Sequence, residues 1–330
     1  MKLGVTDAQH LVARCMRALG HDADEASIIA DHLIDCELRG VGYGGLPRAL
    51  SICERFQRLG DRRRPIRITH ETPVSALVEG GDNLGYLVAH RAMSIAIAKA
   101  KQTGLAAVGA NDTWYTGMLS YFAEMAAKEG LVSMIASNAT PWVAPHGASE
   151  GRFGTNPICF GFPTEDDPLI WDIGTSAIMH AEIVQHRRNG TALPEGAAFA
   201  ADGMPTRDPA AALAGAFAVW GGHKGSGLGL VVQLLGMMCN SPAMPRDIAQ
   251  YGCLTVVMSP GLFMPAAEFR QRVTDYAKEV RAARPVAGGP PVRLPFERSA
   301  AERRARLASG EIEVDDAVHA RLSEVAARVN

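Results

Sequence analysis

The chain has 330 residues, of which 47% are hydrophobic and 21% charged, a composition typical of a globular protein larger than one average domain. Its formal net charge of -2 leaves no broad basic surface, which argues against a nucleic-acid partner. The N-terminus lacks the apolar run of a signal peptide, and the longest apolar stretch, Leu228–Cys239, is too short to cross a bilayer. We therefore expect a cytoplasmic protein with no membrane partner. The six scattered cysteines show no CxxC spacing and predict reduced core thiols.

Residues 1–72 are predicted to form an N-terminal helical segment. The capping-box pattern Thr6–Gln9 predicts a helix start, and apolar residues continue at helical spacing as far as Gly20. A second helix is expected within Asp22–Gly40, with Asp22 and Glu25 framing its start, and a third over Leu46–Leu59, which carries a proline in its first turn. Apolar residues also line one face of the second helix.

Short β-rich runs alternate with helical runs in the middle of the chain, which predicts a mixed α/β core over residues 73–283. The β-rich runs are Ile66–Thr69, Ala76–Val78, Ala106–Ala110, Val132–Ala136 and Leu254–Met258. The helical runs are Leu84–Gln102, Met118–Lys128, Leu228–Met238 and Ala266–Ala283. Residues 284–330 are expected to form a linker rich in proline and glycine, followed by a pair of C-terminal helices.

Three short runs carry the strongest functional signal: GTNP (Gly154–Pro157), DIGTS (Asp172–Ser176) and GGHKGSGLGL (Gly221–Leu230). The glycines of the third run do not have the GxGxxG spacing of the usual dinucleotide-binding turn. The run nevertheless places backbone N–H groups and Lys224 at a predicted helix start, where a pyrophosphate or a carboxylate would be stabilised. Close packing of the helix against a neighbour explains the glycines equally well.

The order and spacing of these runs resemble the malate/L-lactate dehydrogenase family of the non-Rossmann type, which includes ureidoglycolate, sulfolactate and diketogulonate dehydrogenases and cyclic ketimine reductases. The resemblance extends through GVGYGGLPRAL (Gly40–Leu50), NDTWYTGMLSYF (Asn111–Phe122) and VAPHGASEGRFGTNP (Val143–Pro157). It implies an α/β fold with a mixed-sheet core and helical segments at both ends. It also implies an NAD- or NADP-dependent oxidoreductase that forms a homodimer, with the site near the subunit interface.

The resemblance also implies which residues meet the cofactor. The DIGTS run is expected to touch the nicotinamide half, the lysine of the third run to contact the cofactor, and the remaining positions to frame it. These positions are Asn138, Thr155, Asn156, Asp172, Ile173, Gly174, Lys224, Gly225, Pro295 and Glu297.

The substrate side departs from the family pattern at two positions. Where family members have a histidine after the second helix, this chain has Gly44, which cannot transfer a proton. Where a second histidine is usual, the best match is Tyr115, and the family's acidic residue corresponds to Ala200. Arg48 is retained, and its planar guanidinium can hold a carboxylate through paired hydrogen bonds.

Three hypotheses explain these substitutions. In the first, Tyr115 or Tyr43 supplies the proton, because a phenol whose pKa is lowered by a cation can act as a general acid. In the second, which we favour, the substrate is a cyclic ketimine of the Δ1-pyrroline- or Δ1-piperideine-2-carboxylate type. Such a substrate binds as a protonated iminium, so that hydride addition yields a neutral amine without an enzyme acid. In the third, the chain keeps the fold but only binds its ligand.

Histidines elsewhere leave further alternatives open. His146 precedes the GTNP run in a loop expected to face the site, where a catalytic role and a structural role fit equally well. The basic turn His186–Arg188 would suit the 2′-phosphate of NADP, although a solvated turn explains it better. His180 and His186 lack nearby carboxylates or thiolates, so no metal centre is expected.

Overall fold

The computed structural model describes residues 1–328. The strands are β1 (Lys2–Gly4), β2 (Arg67–Thr72), β3 (Ser75–Leu84), β4 (Leu105–Trp114), β5 (Val132–Ser137), β6 (Ile158–Phe162), β7 (Leu169–Ile173), β8 (Ala198–Phe199), β9 (Pro205–Thr206), β10 (Ala216–Phe217), β11 (Tyr251–Met258) and β12 (Glu311–Glu313). The helices are α1 (Val5–Ala18), α2 (Ala23–Leu38), α3 (Leu46–Leu59), α4 (Gly85–Thr103), α5 (Leu119–Lys128), α6 (His180–Asn189), α7 (Pro209–Ala214), α8 (His223–Met238), α9 (Ala266–Arg281), α10 (Glu297–Ser309) and α11 (Asp316–Ala326). Short 3₁₀ turns occupy Gly42–Gly44 and Pro260–Leu262.

The first of two compact units combines residues 1–63 with the chain from Phe296 onward. Helices α1, α2, α3 and α11 bury their apolar faces in a common core, and β1 pairs antiparallel with β12. This pairing brings the two ends of the chain together. The helical character that the sequence predicts for both ends is therefore present in a single unit.

Buried charges join α2 to α10 within this unit. The carboxylate of Asp35 accepts hydrogen bonds from Arg39 Nε at 2.6 Å and from Arg303 Nε at 2.6 Å. The Arg39 guanidinium also lies over the Phe296 ring, 4.4 Å from its centroid. Since breaking a buried pair leaves an uncompensated charge, this network specifies how the last turns of α2 are oriented.

The second unit, residues 64–295, is built on a mixed sheet of seven strands in the order β2-β3-β4-β11-β5-β6-β7. Strands β3 and β4 are parallel, and the other neighbouring pairs are antiparallel. Helices α4, α5 and α8 pack on the sheet. This architecture confirms the predicted mixed α/β fold class.

Several predicted element bounds are corrected by the structure. Helix α1 begins at Val5 after Gly4, and no side chain among residues 1–328 caps it, so the pattern at Thr6 does not form a capping box. Helix α8 begins at His223, five residues before the predicted Leu228, because the glycine-rich run is itself helical. By contrast, Asp22 caps α2 as predicted by accepting the Glu25 N–H at 2.8 Å.

Strands β6 and β7 are absent from the sequence-based prediction, although β7 carries part of the DIGTS run. Each has five residues, too few for a periodicity to stand out. The six cysteines are free and buried, as expected for core thiols. No helix within the described part of the chain is long and apolar enough to span a membrane.

Candidate functional site

The three sequence runs meet in the second unit. The Thr155 carbonyl of the first run accepts hydrogen bonds from the Thr175 N–H at 2.8 Å and the Thr175 hydroxyl at 3.1 Å. The Thr175 carbonyl in turn accepts the Trp220 N–H, immediately before the third run, at 2.8 Å. The fold therefore joins GTNP, DIGTS and GGHKGSGLGL into one hydrogen-bonded cluster.

Asn156 supplies the direct link from the first run to α8. Its backbone is in the left-handed region, with φ of 36°, and its side chain is fully buried. The amide nitrogen donates to the Gly229 carbonyl at 2.8 Å and to Gln233 Oε1 at 2.9 Å, while Oδ1 accepts the Ala139 N–H at 3.2 Å. Asn156 thus uses its amide group to fix α8 against the end of β5.

Asn138 has a similar set of internal partners. It is 1% exposed. Its Oδ1 accepts the Gly252 N–H at 2.7 Å, and its Nδ2 donates to the Ser241 hydroxyl at 3.0 Å. These bonds lie at the end of α8 remote from Lys224 and connect β5 with the chain that enters β11.

Asp172 joins the DIGTS run to the start of α5. Its carboxylate accepts the Ser120 N–H at 2.7 Å, in the first turn of that helix. Burial raises the pKa of Asp172 to about 6, and hydrogen bonds from Ser120 and the Leu119 backbone partly oppose that rise. Ile173 is the last residue of the strand and packs against the buried cluster that includes Val232 of α8, and Gly174 follows the strand beside Met179. The carboxylate therefore acts as an N-terminal cap supplied from a distant strand.

Tyr115 immediately follows β4 and is half-buried. Its backbone is in the left-handed region, with φ of 54°. The preceding Trp114 is fully buried, its indole N–H donates to the Asp82 carbonyl at 2.9 Å, and its ring centroid lies 5.3 Å from that of Tyr115. Trp114 therefore serves as a core anchor for the tyrosine, which leads into the loop before α5.

Helix α8 begins with an exposed cation. Lys224 makes no hydrogen bond or ion pair within residues 1–328, and none of their side chains caps the helix. Gly225 is buried beneath it, where a Cβ atom would lie 1.7 Å from the Trp220 carbonyl oxygen. Glycine is consequently required at this position. Since no side chain among residues 1–328 caps the helix, its first N–H groups are available to an anion.

His146 lies beside the same helix start. Its backbone N–H donates to the Ser226 hydroxyl at 3.1 Å, and its ring centroid is 6.3 Å from that of His223. The side chain is exposed. The structure therefore brings His146 together with Lys224 and Gly225, whereas His180 stacks on Trp142 at 4.0 Å between centroids.

The substrate-side residues predicted near the N-terminus lie in the first unit. Tyr43 belongs to the 3₁₀ turn Gly42–Gly44, and Arg48 lies in the first turn of α3; both are half-buried. At Gly44, a Cβ atom would come within 3.3 Å of Cys36 Sγ. The segment from Tyr43 to Arg48 therefore presents a phenol and a guanidinium from one short stretch of backbone.

Pro295 and Glu297 flank the boundary between the two units. Pro295 is exposed at the end of the linker, and Glu297 is the first residue of α10. Phe296 between them has φ of 75°.

Glu37 is a residue that the sequence analysis missed. It is 7% exposed in the last turn of α2, and its Oε1 accepts the Leu46 N–H at the start of α3 at 2.7 Å. Burial raises the pKa of Glu37 to about 7, against the lowering effects of the Leu46 N–H and of Arg306. The signal that could have identified it is the pair of acidic residues, Asp35 and Glu37, among the apolar residues from Leu33 to Leu38.

Metal ligation has no support within the described residues. No group of three or more histidine, cysteine, aspartate or glutamate side chains in residues 1–328 could hold a metal ion. The ionisable groups near the three runs are Asp172, Lys224, His146 and His223. Their arrangement suits an anionic organic ligand at the start of α8.

Comparison with known proteins identifies a consistent set of relatives. The sequence profile described as malate/L-lactate dehydrogenase matches residues 3–323. The chain is 30% identical to the malate/(S)-sulfolactate dehydrogenase of Methanothermus fervidus, over 100% of this chain and 98% of that protein. It is 29% identical to the NAD(+) ureidoglycolate dehydrogenase of Escherichia coli O157:H7, over 96% and 93% of the two chains. Its structure resembles delta1-piperideine-2-carboxylate reductase from Pseudomonas syringae pvar. tomato, with a TM-score of 0.85, 27% identity and coverage of 98% and 99%.

Proposed function

The chain belongs to the malate/L-lactate dehydrogenase family and is an oxidoreductase, and we propose that it reduces a small carboxylate-bearing substrate at a C=N or C=O carbon. A bound nicotinamide dinucleotide would supply the hydride at C4, or accept it in the reverse direction. The observation that carries the proposal is the hydrogen-bonded cluster formed by the three sequence runs. The third run also carries the exposed Lys224.

The start of α8 fits the phosphates of such a cofactor. Lys224 contributes a positive charge without an internal partner among residues 1–328, and the helix start above Gly225 contributes unpaired N–H groups. Thr155 and Asn156 keep this helix start against the DIGTS run through their hydrogen bonds. We propose that these residues hold the cofactor and that Ile173 and Gly174 border its nicotinamide half.

The choice between NAD and NADP rests on a small number of positive charges. Arg187 and Arg188 are exposed in the last turn of α6, and His186 bonds to Thr191 at 2.8 Å. A solvated turn is the simpler interpretation, and the NAD(+) in the name of the ureidoglycolate dehydrogenase relative is consistent with it. We therefore favour NAD over NADP.

On the substrate side, we propose that Arg48 binds the carboxylate. A guanidinium holds a planar carboxylate by two parallel hydrogen bonds. The backbone of Arg48 is held in the first turn of α3 by the hydrogen bonds of that turn. Gly44 offers no proton donor beside it. These two features favour a cyclic ketimine, whose protonated iminium accepts hydride and leaves as a neutral amine.

A specific observation favours a second candidate, a 2-oxo acid reductase in which Tyr115 is the acid. An oxo acid develops an alkoxide during hydride addition and needs a proton. Tyr115 is half-buried and held in a left-handed backbone conformation beside the buried Trp114. Such strain in a residue other than glycine is concentrated at functional sites.

The experiment that decides between the two is a cofactor-oxidation assay of the purified protein. Its substrates are Δ1-pyrroline-2-carboxylate, Δ1-piperideine-2-carboxylate, pyruvate and oxaloacetate, each tested with NADH and with NADPH. We expect the highest kcat/KM for a cyclic ketimine with NADH. Faster reduction of the oxo acids would favour the second candidate, and no oxidation with any of the four would overturn the proposed function.

A further inference from the structure

Glu37 lies against the backbone segment that carries Tyr43 and Arg48. Its Oε1 accepts the Leu46 N–H at 2.7 Å. A Cβ atom at Gly45 would lie 2.2 Å from the same oxygen, and one at Gly42 would lie 3.6 Å from Oε2. The carboxylate therefore occupies the space over the whole turn between Gly42 and Leu46.

This contact replaces a missing helix cap. Gly45 precedes α3 and has no side chain with which to cap it. The Arg48 and Ala49 N–H groups bond to the Gly45 carbonyl, so the Leu46 N–H is the one that needs another acceptor. Glu37 supplies that acceptor from α2, and its negative charge also suits the positive end of the helix. Because Arg48 lies in that same first turn, the Glu37 carboxylate bonds to the backbone segment that carries the guanidinium.

The charged and ionisable groups around Glu37 come from three helices. On α2 they are Asp35, Cys36 and Arg39; α3 contributes Arg48, and α10 contributes Arg306, which donates to the Glu37 carbonyl. Asp35 is engaged with Arg39 and Arg303. Burial raises the pKa of Glu37 to about 7, so this carboxyl changes its charge near neutral pH.

We propose that Glu37 is a positioning residue, whose ionised carboxylate holds the Tyr43–Arg48 segment in the conformation that binds the substrate carboxylate. The inference rests on the proposed function of Arg48 and deepens it. Protonation weakens the bond to the Leu46 N–H, since a neutral carboxyl is a poorer acceptor than a carboxylate. The affinity for substrate should therefore fall as the pH drops through neutrality.

Substitution of Glu37 by glutamine tests the inference. Glu37→Gln keeps the size of the side chain and an acceptor oxygen but removes the charge. We expect KM to rise about tenfold at about pH 8, which corresponds to about 1.4 kcal/mol, while kcat and the cofactor Kd stay within about twofold. Glu37→Asp, which retains the charge on a shorter side chain, should recover part of the wild-type KM.

The pH profile supplies a readout that a purely structural role would not affect. With KM expressed per protonated iminium, the wild-type value should increase as the pH is lowered from about 8 to about 6, whereas the Glu37→Gln value should lose this increase. The matched control is Glu54→Gln on α3, whose carboxylate pairs with Arg321 at 3.0 Å on the surface. This control should reproduce the wild-type profile, and an unchanged profile in Glu37→Gln would overturn the inference.

Hydrogen exchange tests the same inference without an active enzyme. At about pH 8 the amides of Leu46, Arg48 and Ala49 should exchange about tenfold faster in Glu37→Gln than in the wild type, because the Leu46 N–H that begins this turn loses its charged acceptor. Equal protection in the two proteins would contradict the inference.

Arg48→Ala separates the two possible failures. If its KM equals that of the wild type, the proposed role of Arg48 fails, and the exchange experiment alone decides whether Glu37 positions the segment. If Arg48→Ala raises KM and Glu37→Gln does not, only the role of Glu37 is refuted.

Discussion

Arg48 and Tyr115 are the side chains on which the proposed chemistry depends, and each is supported differently. Arg48 is placed by the first turn of a helix whose cap comes from a neighbouring carboxylate. Tyr115 is placed by strained backbone next to a buried indole. A guanidinium can bind a carboxylate in the ground state and the transition state alike, whereas a phenol would act only while charge develops on the substrate. Variants of the two should accordingly differ in which kinetic constant they change.

Arg48→Ala should raise the substrate KM by far more than it changes kcat. The loss of a charged hydrogen bond costs about 1.5–3 kcal/mol, or roughly 10- to 150-fold in KM. The cofactor Kd should stay within about twofold of the wild type, because the lost contact is with the substrate. Arg48→Lys should recover little, since an ammonium lacks the planar pair of donors.

Arg58→Ala is the control for this variant, because Arg58 is exposed near the end of the same helix. Steady-state kinetics with the best substrate of the oxidation assay, together with calorimetry for the cofactor, provide the measurements. Equal losses of substrate and cofactor affinity in Arg48→Ala would assign Arg48 a structural role.

Tyr115→Phe should change kcat only modestly, by less than about threefold, if the substrate is a ketimine that carries its own proton. If Tyr115 is instead the general acid, kcat should fall by about 10²–10⁴-fold. Tyr276→Phe, an exposed tyrosine on α9, controls for the loss of a phenol elsewhere. A large loss of kcat in Tyr115→Phe with oxo acids alone would establish the second candidate. If the protein reduces oxo acids rapidly and Tyr115→Phe retains the full rate, His146 or Tyr43 would be the proton donor to test next.

Helix α8 combines two functions in one element. The side that packs on the protein carries three glycines that allow close contacts. Gly225 approaches the Trp220 carbonyl, Gly229 the Phe153 ring and Gly236 the Asn138 amide. Its first turn carries Lys224 and free N–H groups. Because the glycines let the helix approach the GTNP and DIGTS runs, the positive end of the helix is placed where those runs meet.

Lys224→Ala should weaken cofactor binding by about 1.5–3 kcal/mol, the range for a hydrogen bond to a charged group. Calorimetric titration with NADH measures the effect, and thermal unfolding should show no matching loss of stability because the side chain is exposed. Lys278→Ala, an exposed lysine of α9, is the matched control. An unchanged Kd for NADH would remove Lys224 from the cofactor site.

At the scale of the whole molecule, one face of α8 is left exposed by residues 1–328. Leu230, Val231, Leu234 and Met238 recur at helical spacing and are 53%, 48%, 53% and 66% exposed. A helix that is apolar on all sides is normally buried on all sides. Together with the family resemblance, this stripe supports our proposal that a second copy of the chain covers α8 in a homodimer.

Leu234→Glu should therefore shift the protein from dimer to monomer, because a charge buried in an apolar interface is unpaired. Light scattering after size-exclusion chromatography measures the mass directly. Phe263→Glu serves as the control, since Phe263 is 88% exposed and lies outside the stripe. A dimeric Leu234→Glu protein, or a monomeric wild type, would refute this interface.

Much of the secondary structure was predictable where the local pattern is strong. The bounds of α3 and the Asp22 cap of α2 are confirmed, and so is the mixed α/β class. The start of α8 was predicted too late because glycines are poor helix formers, and tertiary contacts outweigh that propensity. Strands β6 and β7 were missed because a five-residue strand is stabilised by its neighbours in the sheet more than by its own residues.

Residue order alone identifies the family and the composition of the proposed site, through the three runs and Arg48. The fold reveals that the Asn138 and Asn156 amides bond internally, that Asp172 caps α5, and that Glu37 caps α3. These partners lie on other elements, from nine residues away for Glu37 to 114 residues away for Asn138, so no local pattern specifies them. A local pattern reveals which group needs a partner, and the fold determines which residue provides it.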